Sequence, residues 1–522
     1  MSGLNAVARR VAAGTASNAG GRAVVLVSRI LITPVIVHAV GATDYGLWVL
    51  IASIATVGGV LELGISAGLV KYVAEHSARK ETDEAAGMVA AASWLYRLLA
   101  VFFALTGIAL ALAAPALLGL DGHEAAMVRA LGAVAAVDLG VSMLPLAPQS
   151  VLRGLQRFPL VNAIQAGAVV LGALLTVIVV VAGAGIVVVS AMWALSTGVA
   201  AIAFALAARR TAAPFVALPA RYDAGRVRRL IRFSRSIAAV QIAVNLQSRL
   251  DVVVIAAALP VRNVTPYSFA QRLADGTRIA TDQFGKVLLP LASEVSATRE
   301  RAAVSELFVT SLRLTMFIAI GVGMSVALLG GPILDVWVGD EFSGYGTLVA
   351  LLACAAIVDL PSYPAAAVLQ SLERHGPVAW MALGSALANL AISVALVGPY
   401  GVEGVALGTL IAGGVEVLFF VVPYAARVLG LSLWRLVADA IVPLALPAAV
   451  LTALLLGGHA LLPVTNLPRL ALVVGGAMTV YALVYALFTA PARERQVYRA
   501  GLSALRRRRG GPVRSWPRWR AK

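Results

Sequence analysis

The sequence predicts an all-α integral membrane protein of about fourteen transmembrane helices. Three observations carry that reading. Hydrophobic residues make up 60% of the 522-residue chain and charged residues 13%, against roughly a quarter charged in an ordinary soluble domain. The apolar residues fall in blocks of about twenty, the length that crosses a hydrocarbon core as a helix. The basic residues gather between the blocks on alternate sides, as cytoplasmic connections do.

Taken in order, the blocks place spans at residues 22–40, 46–69, 87–113, 125–147, 160–182, 185–207, 236–259, 266–290, 306–329, 346–369, 378–397, 402–424, 437–457 and 468–490. Arg9 and Arg10 precede the first block, and no small-residue cleavage site follows it, so it reads as a span and not as a signal peptide. With the N-terminus inside, the cytoplasmic segments hold Lys71, Arg79, Lys80, Arg153, Arg157, the arginines between Arg209 and Arg235, and the tail from Arg493 to Lys522. The opposite side holds only Arg129, Arg262 and Arg469. Both termini are therefore expected in the cytoplasm, and the net charge of +17 marks membrane orientation, not nucleic-acid binding. The basic linker 208–235 and tail 491–522 suit a surface of anionic lipids. The bias toward arginine, alanine and glycine suggests a GC-rich bacterial genome and hence a bacterial inner membrane.

The two halves echo each other. Val151-Leu152-Arg153-Gly154-Leu155-Gln156-Arg157-Phe158-Pro159 recurs as Val368-Leu369-Gln370-Ser371-Leu372-Glu373-Arg374-His375-Gly376-Pro377, and Ser28-Arg29 recurs as Ser248-Arg249. Six spans separate the copies, so the repeat is parallel, with its axis along the membrane normal and a cavity expected between the halves.

Charges inside the spans mark that cavity, because each costs roughly 2.5–3.5 kcal/mol at the bilayer centre. The eighth span carries Arg272, Asp275, Arg278, Asp282 and Lys286 at spacings that put them on one helix face, with Ser268 on the same arc. The seventh adds Gln241, Asn245, Ser248 and Arg249, with Asp251 nearby, and the first adds Arg29 and Thr33. Arginine is a permanently charged, forked donor suited to phosphate oxygens. Arg29, Arg249, Arg272 and Arg278, with Asn245 and Gln241, are the expected anion-binding set. Glu62, Asp138, Asp275 and Asp359 are candidates for coupling a proton or sodium ion. Arg97, Arg313 and Glu416 are further deep charges.

Enzyme signatures are missing: there is no GxxxxGK[ST], HExxH or GxSxG, and the five histidines are scattered. The single cysteine, Cys354, reads as a small buried hydrophobe, and no metal cluster or cofactor is expected.

Two passages carry a family resemblance. Val40-Gly41-Ala42-Thr43-Asp44-Tyr45-Gly46-Leu47-Trp48 continues to Leu61-Glu62-Leu63-Gly64-Ile65 and Val70-Lys71-Tyr72-Val73-Ala74-Glu75, and Gly154-Leu155-Gln156-Arg157-Phe158 is followed by Asn162. These resemble the polysaccharide-biosynthesis flippases, the Wzx-like exporters of O-antigen and exopolysaccharide, within the multidrug/oligosaccharidyl-lipid/polysaccharide (MOP) exporter superfamily that also holds the MATE transporters. The resemblance implies two pseudo-symmetric six-helix lobes in a V around a cationic cavity, plus two C-terminal helices. It implies a lobe at 1–207, the linker 208–235, a second lobe at 236–427, an extra helix pair at 428–490 and the tail 491–522. It also implies a polyprenyl-diphosphate-linked oligosaccharide as passenger, with polymerase and glycosyltransferase machinery as partners. The competing readings are a drug or small-molecule antiporter of the same superfamily, a lipid-linked glycosyltransferase or polymerase, and a scaffold that has lost transport. The arginine-rich spans, the short external loops and the charged eighth span speak against these in turn.

Overall fold

The structure, a computed structural model, describes residues 2–59, 63–118, 121–216, 218–219, 221–298, 301–372, 374, 376–492 and 494–495. Within its helices, the side chains of 2–23, 26, 56–59, 63, 117–118, 235–249, 280, 282–287, 289–298 and 301 lie outside that description. The first half comprises α1 (Ser2–Gly59), α2 (Leu63–Ala78), α3 (Thr82–Leu118), α4 (Gly122–Met143), α5 (Leu146–Gly154), α6 (Phe158–Val181) and α7 (Ile186–Thr211). The second comprises α8 (Ala224–Ala258), α9 (Val264–Thr298), α10 (Arg301–Leu328), α11 (Gly330–Val338), α12 (Gly346–Asp359), α13 (Ser362–Ser371), α14 (Gly376–Val415) and α15 (Val422–Leu429). Three more follow: α16 (Leu433–Ala440), α17 (Val442–Leu461) and α18 (Leu467–Val484). Among the described residues, every regular element is helical.

Among the described residues, ten stretches are long and apolar enough to cross a membrane. Two of them double back. Gly401 takes φ 58° and ψ −139°, outside any helix. Beyond it α14 returns so closely on itself that a methyl on Gly404 would strike the Leu396 carbonyl, and one on Gly408 would strike Ser393 Oγ. Gly41, at φ 80° and ψ 167°, breaks α1 in the same way. Arg272 touches Thr33 before that break and lies 5.8 Å from the Tyr45 ring after it, although a straight helix would hold those two residues ~18 Å apart. The charge-laden α8 and α9 lie outside the ten, so the count is compatible with the fourteen expected spans.

The expected spans at 125–147 and 346–369 are each broken. α4 gives way to α5 at Leu144-Pro145, and α12 gives way to α13 at Leu360-Pro361, where proline supplies no backbone donor to continue the ladder. These breaks recur about 217 residues apart, the same offset as the sequence echo, which is the mark of a parallel repeat.

Hydrophobic burial does not drive helix association in lipid, so close contact between small side chains has to. In the α3–α4 pair, a methyl on Gly107 would lie 2.7 Å from Ala136 Cβ and one on Gly132 2.5 Å from Ala111 Cβ. Within the first half α6 packs on α1 and α7, and α4 on α7; within the second α14 packs on α8 and α12, and α10 on α9 and α12. The halves meet through α1 and α2 against α8 and α9. Ser234 Oγ donates to the Gly64 carbonyl at 2.6 Å, and Thr265 Oγ1 donates to the Ala42 carbonyl at 2.6 Å. Tyr45, Phe269 and Phe342 form an aromatic cluster at this seam, with ring centroids 5.4 and 5.1 Å apart.

The last helices lean on α10. Phe317 stacks on Tyr481 at 4.6 Å. Arg313, 5% exposed, pairs with Glu494 and donates to the Asp439 carbonyl at 2.5 Å. Tyr485 donates to the same Glu494 at 2.7 Å. The deep charge at Arg313 is thereby a fastening for the C-terminal helices.

Candidate functional site

A cavity of about 760 Å³ lies where the halves meet, walled by α1, α4, α7, α8 and α9. Arg29 and Thr33 reach it from α1, Asp138 from α4, Trp193 from α7, and Gln271, Arg272 and Asp275 from α9. Arg272 is held in place by donating to Thr33 Oγ1 and by its position over the Tyr45 ring, a cation–π geometry. Thr33 in turn donates to the Arg29 carbonyl at 2.6 Å. The α9 guanidinium is thus positioned from the opposite half, on the turn of α1 that carries Arg29.

The opposite wall is polar without being basic. Among the described residues, Asp138 Oδ1 and Trp193 Nε1 are buried with no hydrogen-bond partner. Buried polar atoms are rarely left so. The cavity therefore presents arginine to an anion on one side, and the partly exposed carboxyl and indole side chains of Asp138 and Trp193 to a hydroxyl-rich group on the other.

Arg278 departs from the expectation. It is not among the residues lining this cavity; it sits between Asp275 at 3.2 Å and Asp359 at 3.4 Å. The reason is rotation along the helix. Six residues at 100° each carry Arg278 to the edge of the arc that Arg272 begins, and that edge faces α12 and α13. Asp275 is shared: it lines the cavity and closes the ion triad. Gln241, Asn245 and Arg249 fall on α8 with side chains outside the description, and Glu62 lies outside the described residues.

One group noted beside the polar arc of the seventh span gains a role that the sequence did not assign it. Asp251 on α8 is 3% exposed. It accepts hydrogen bonds from Tyr267 at 2.7 Å, Asn389 at 3.1 Å and Thr409 at 3.0 Å. Ser393 Oγ donates to Asn389 Oδ1 at 3.1 Å and leans on the Val405 carbonyl at 3.4 Å. The carboxylate is satisfied by two hydroxyl donors and an amide N–H, so a hard cation would bind it only by displacing these donors. The signal available was an isolated carboxylate in an apolar run with no basic residue at helical spacing.

A family model described as polysaccharide biosynthesis protein matches residues 39–346. The chain belongs to the polysaccharide biosynthesis protein family. The match takes in the cavity residues of α4, α7, α8 and α9 and begins after Arg29 and Thr33 of α1. A probable low-salt glycan biosynthesis flippase, Agl15, of Haloferax volcanii is 23% identical over 189 residues, 36% of this chain and 40% of its own length. The match spans less than half of that relative. Solved structures share the fold. The lipid II flippase MurJ in an inward closed conformation gives a TM-score of 0.67 at 14% identity, covering 90% of this chain and 98% of its own. A multidrug resistance MATE transporter of the MOP superfamily, facing inward, gives 0.63 at 15% identity, covering 78% and 98%. A MOP superfamily transporter from Pyrococcus furiosus, described by a binding pocket of reverse polarity, gives 0.56 at 14% identity, covering 81% and 95%. This member of the polysaccharide biosynthesis family is accordingly a multi-pass membrane protein with the MOP transporter fold.

Proposed function

We propose that the protein is a flippase that carries a lipid-linked oligosaccharide across the membrane, from the inner to the outer leaflet of a bacterial cytoplasmic membrane, for cell-surface polysaccharide synthesis. The observation that carries this reading is the two-sided cavity, with Arg29 and Arg272 at one wall and Asp138 and Trp193 at the other. A polyprenyl-diphosphate-linked sugar has the same two ends. Its diphosphate suits forked guanidinium donors. Its sugar suits a carboxylate acceptor and an indole face. The lipid tail stays in the bilayer, which is why a seam between two lobes, and not a closed channel, fits the passenger. Termini in the cytoplasm, lobes at 1–207 and 236–427, and delivery to a polymerase complete the proposal.

The protein moves its substrate without transforming it. Asp251 supplies the means of coupling, because a cation that displaces these donors from its carboxylate re-pairs α8, α9 and both limbs of α14. Asp138 and Asp275, at the cavity, are the carboxylates placed to respond to the passenger itself.

The test is surface glycan in a strain lacking the gene and complemented by variants. Arg272→Ala and Arg29→Ala should each cut export roughly tenfold to a hundredfold at equal protein abundance, the size of one lost charge-assisted contact of ~1.5–3 kcal/mol. Normal glycan from the double variant would overturn the cavity role.

A further inference from the structure

We propose that a second pocket, remote from the cavity, binds the phosphodiester headgroup of an anionic membrane lipid through Arg97 and Arg209. This pocket measures about 560 Å³ and opens between α3, the α4–α5 break, α7 and the chain that follows α7. Both arginines line it, beside Ser93 and Tyr96. Both are exposed, and among the described residues neither forms a salt bridge or hydrogen bond.

Depth decides what could meet them. α3 runs from Thr82 to its apolar end near Ala116. Arg97 therefore stands ~30 Å from that end along the helix, one hydrocarbon thickness. Arg209 stands at a similar distance from the start of α7 at Ile186. Trp94, one turn further on, packs on Tyr222 at a tilt with ring centroids 4.8 Å apart, and such aromatic residues gather at the headgroup level. The two guanidiniums thus sit at a membrane interface, on the arginine-rich end of the bundle, which moves Arg97 outward from the depth that the expected span 87–113 gave it. Below Arg97 the same face of α3 presents Leu98, Val101 and Leu105, exposed by 51%, 57% and 64%. That is an apolar bed for acyl chains under a paired cationic seat for a phosphate. Basic pockets between helices at this level are sites for acidic headgroups.

The pocket has a floor that gives its occupant a consequence. Val216, Leu218 and Pro219 line it, and they belong to the connection between the two halves. That connection is already laced to α3: the Arg221 N–H donates to the Ala90 carbonyl at 3.3 Å, and Arg226 reaches Glu84 at 3.1 Å. A phosphate held by Arg97 on α3 and Arg209 on α7 closes the pocket over this strap and fastens it to the first half. The lipid is a structural ligand of the interlobe connection, separate from the passenger.

The experiment uses the full chain purified in detergent, with bound lipid read by native mass spectrometry and thermal unfolding read after adding phosphatidylglycerol or phosphatidylcholine. Phosphatidylglycerol should be retained and should raise the unfolding temperature; phosphatidylcholine should do neither. Arg97→Gln with Arg209→Gln should lower phosphatidylglycerol retention about thirtyfold, a loss in keeping with two interfacial arginines, while Arg210→Gln, next door but outside the pocket, should leave it intact. Equal stabilisation of the wild type by both lipids would overturn the proposal without any variant. So would unchanged retention in the double variant, full effect from soluble glycerol phosphate, or selective retention of polyprenyl phosphate over phosphatidylglycerol.

Discussion

At the scale of single residues, the same residue type serves three ends according to what faces it. Arg272 is held open to the cavity by a hydroxyl and an aromatic ring, Arg278 is closed between two carboxylates, and Arg313 staples distant helices. Arg272→Lys should therefore transport less well than the wild type, since an ammonium cannot grip Thr33 and a phosphate with one rigid fork; equal glycan export would reduce its role to charge alone. Arg278→Ala should instead lower abundance, because it leaves Asp275 and Asp359 as facing carboxylates without their counter-ion. Asp251→Asn should abolish any sodium-dependent rise in thermal stability while leaving the fold intact, measured by unfolding in sodium against choline chloride. Outside the membrane, Asp223 caps α8 by accepting the Arg226 N–H at 2.9 Å, and this bond, with the Arg226 guanidinium, holds its carboxyl below the ordinary value of 3.8. A lowered native pKa adds stability above the unfolded value and loses it as pH falls through the native one. The gap in unfolding temperature between wild type and Asp223→Ala should then be widest near neutrality and close in acid. Much of this scale was hidden in the sequence. Periodicity finds the charged arc on α9 but cannot say that its two edges face different neighbours, and nothing local marks Asp251 as the meeting point of residues from 267 to 409.

At the scale of elements, the sequence was legible where physics is local. Twenty-residue apolar runs announce helices, but the breaks at Pro145 and Pro361 fall inside runs that read as single spans, since proline also stands within continuous helices at Pro115 and Pro447. Gly41 and Gly401 were less legible, since a glycine in an apolar run is as compatible with close packing as with a reversal. The structure uses both options: reversal at those two, and contact at Gly107, Gly132, Gly404 and Gly408. Gly132→Leu should destabilise by ~1–3 kcal/mol through overpacking against Ala111, read as a lower unfolding temperature in detergent. The same change at Gly167, which has open space around it, should be nearly silent.

At the scale of the whole molecule, charge on the connections predicts orientation, and a sequence echo predicts two related halves, because insertion and duplication both leave marks that need no coordinates. A cysteine at position 340 should react with an impermeant reagent from outside, and one at position 220 only after the membrane is opened, in a Cys354→Ser background. The reverse pattern would invert every proposed loop. Yet one feature belongs to neither half. α8 has its early turns fixed to the first half, through Arg226 with Glu84 and Ser234 with Gly64, and its later turns fixed to the second, through Asp251 with Asn389 and Thr409. A rod gripped at both ends works as an axle: the two bodies can turn about it, yet neither can travel along it. Spin labels beside that ion pair, at 83 and 228, should hold one separation through the working cycle, while labels set across the far rim of the V draw apart and close.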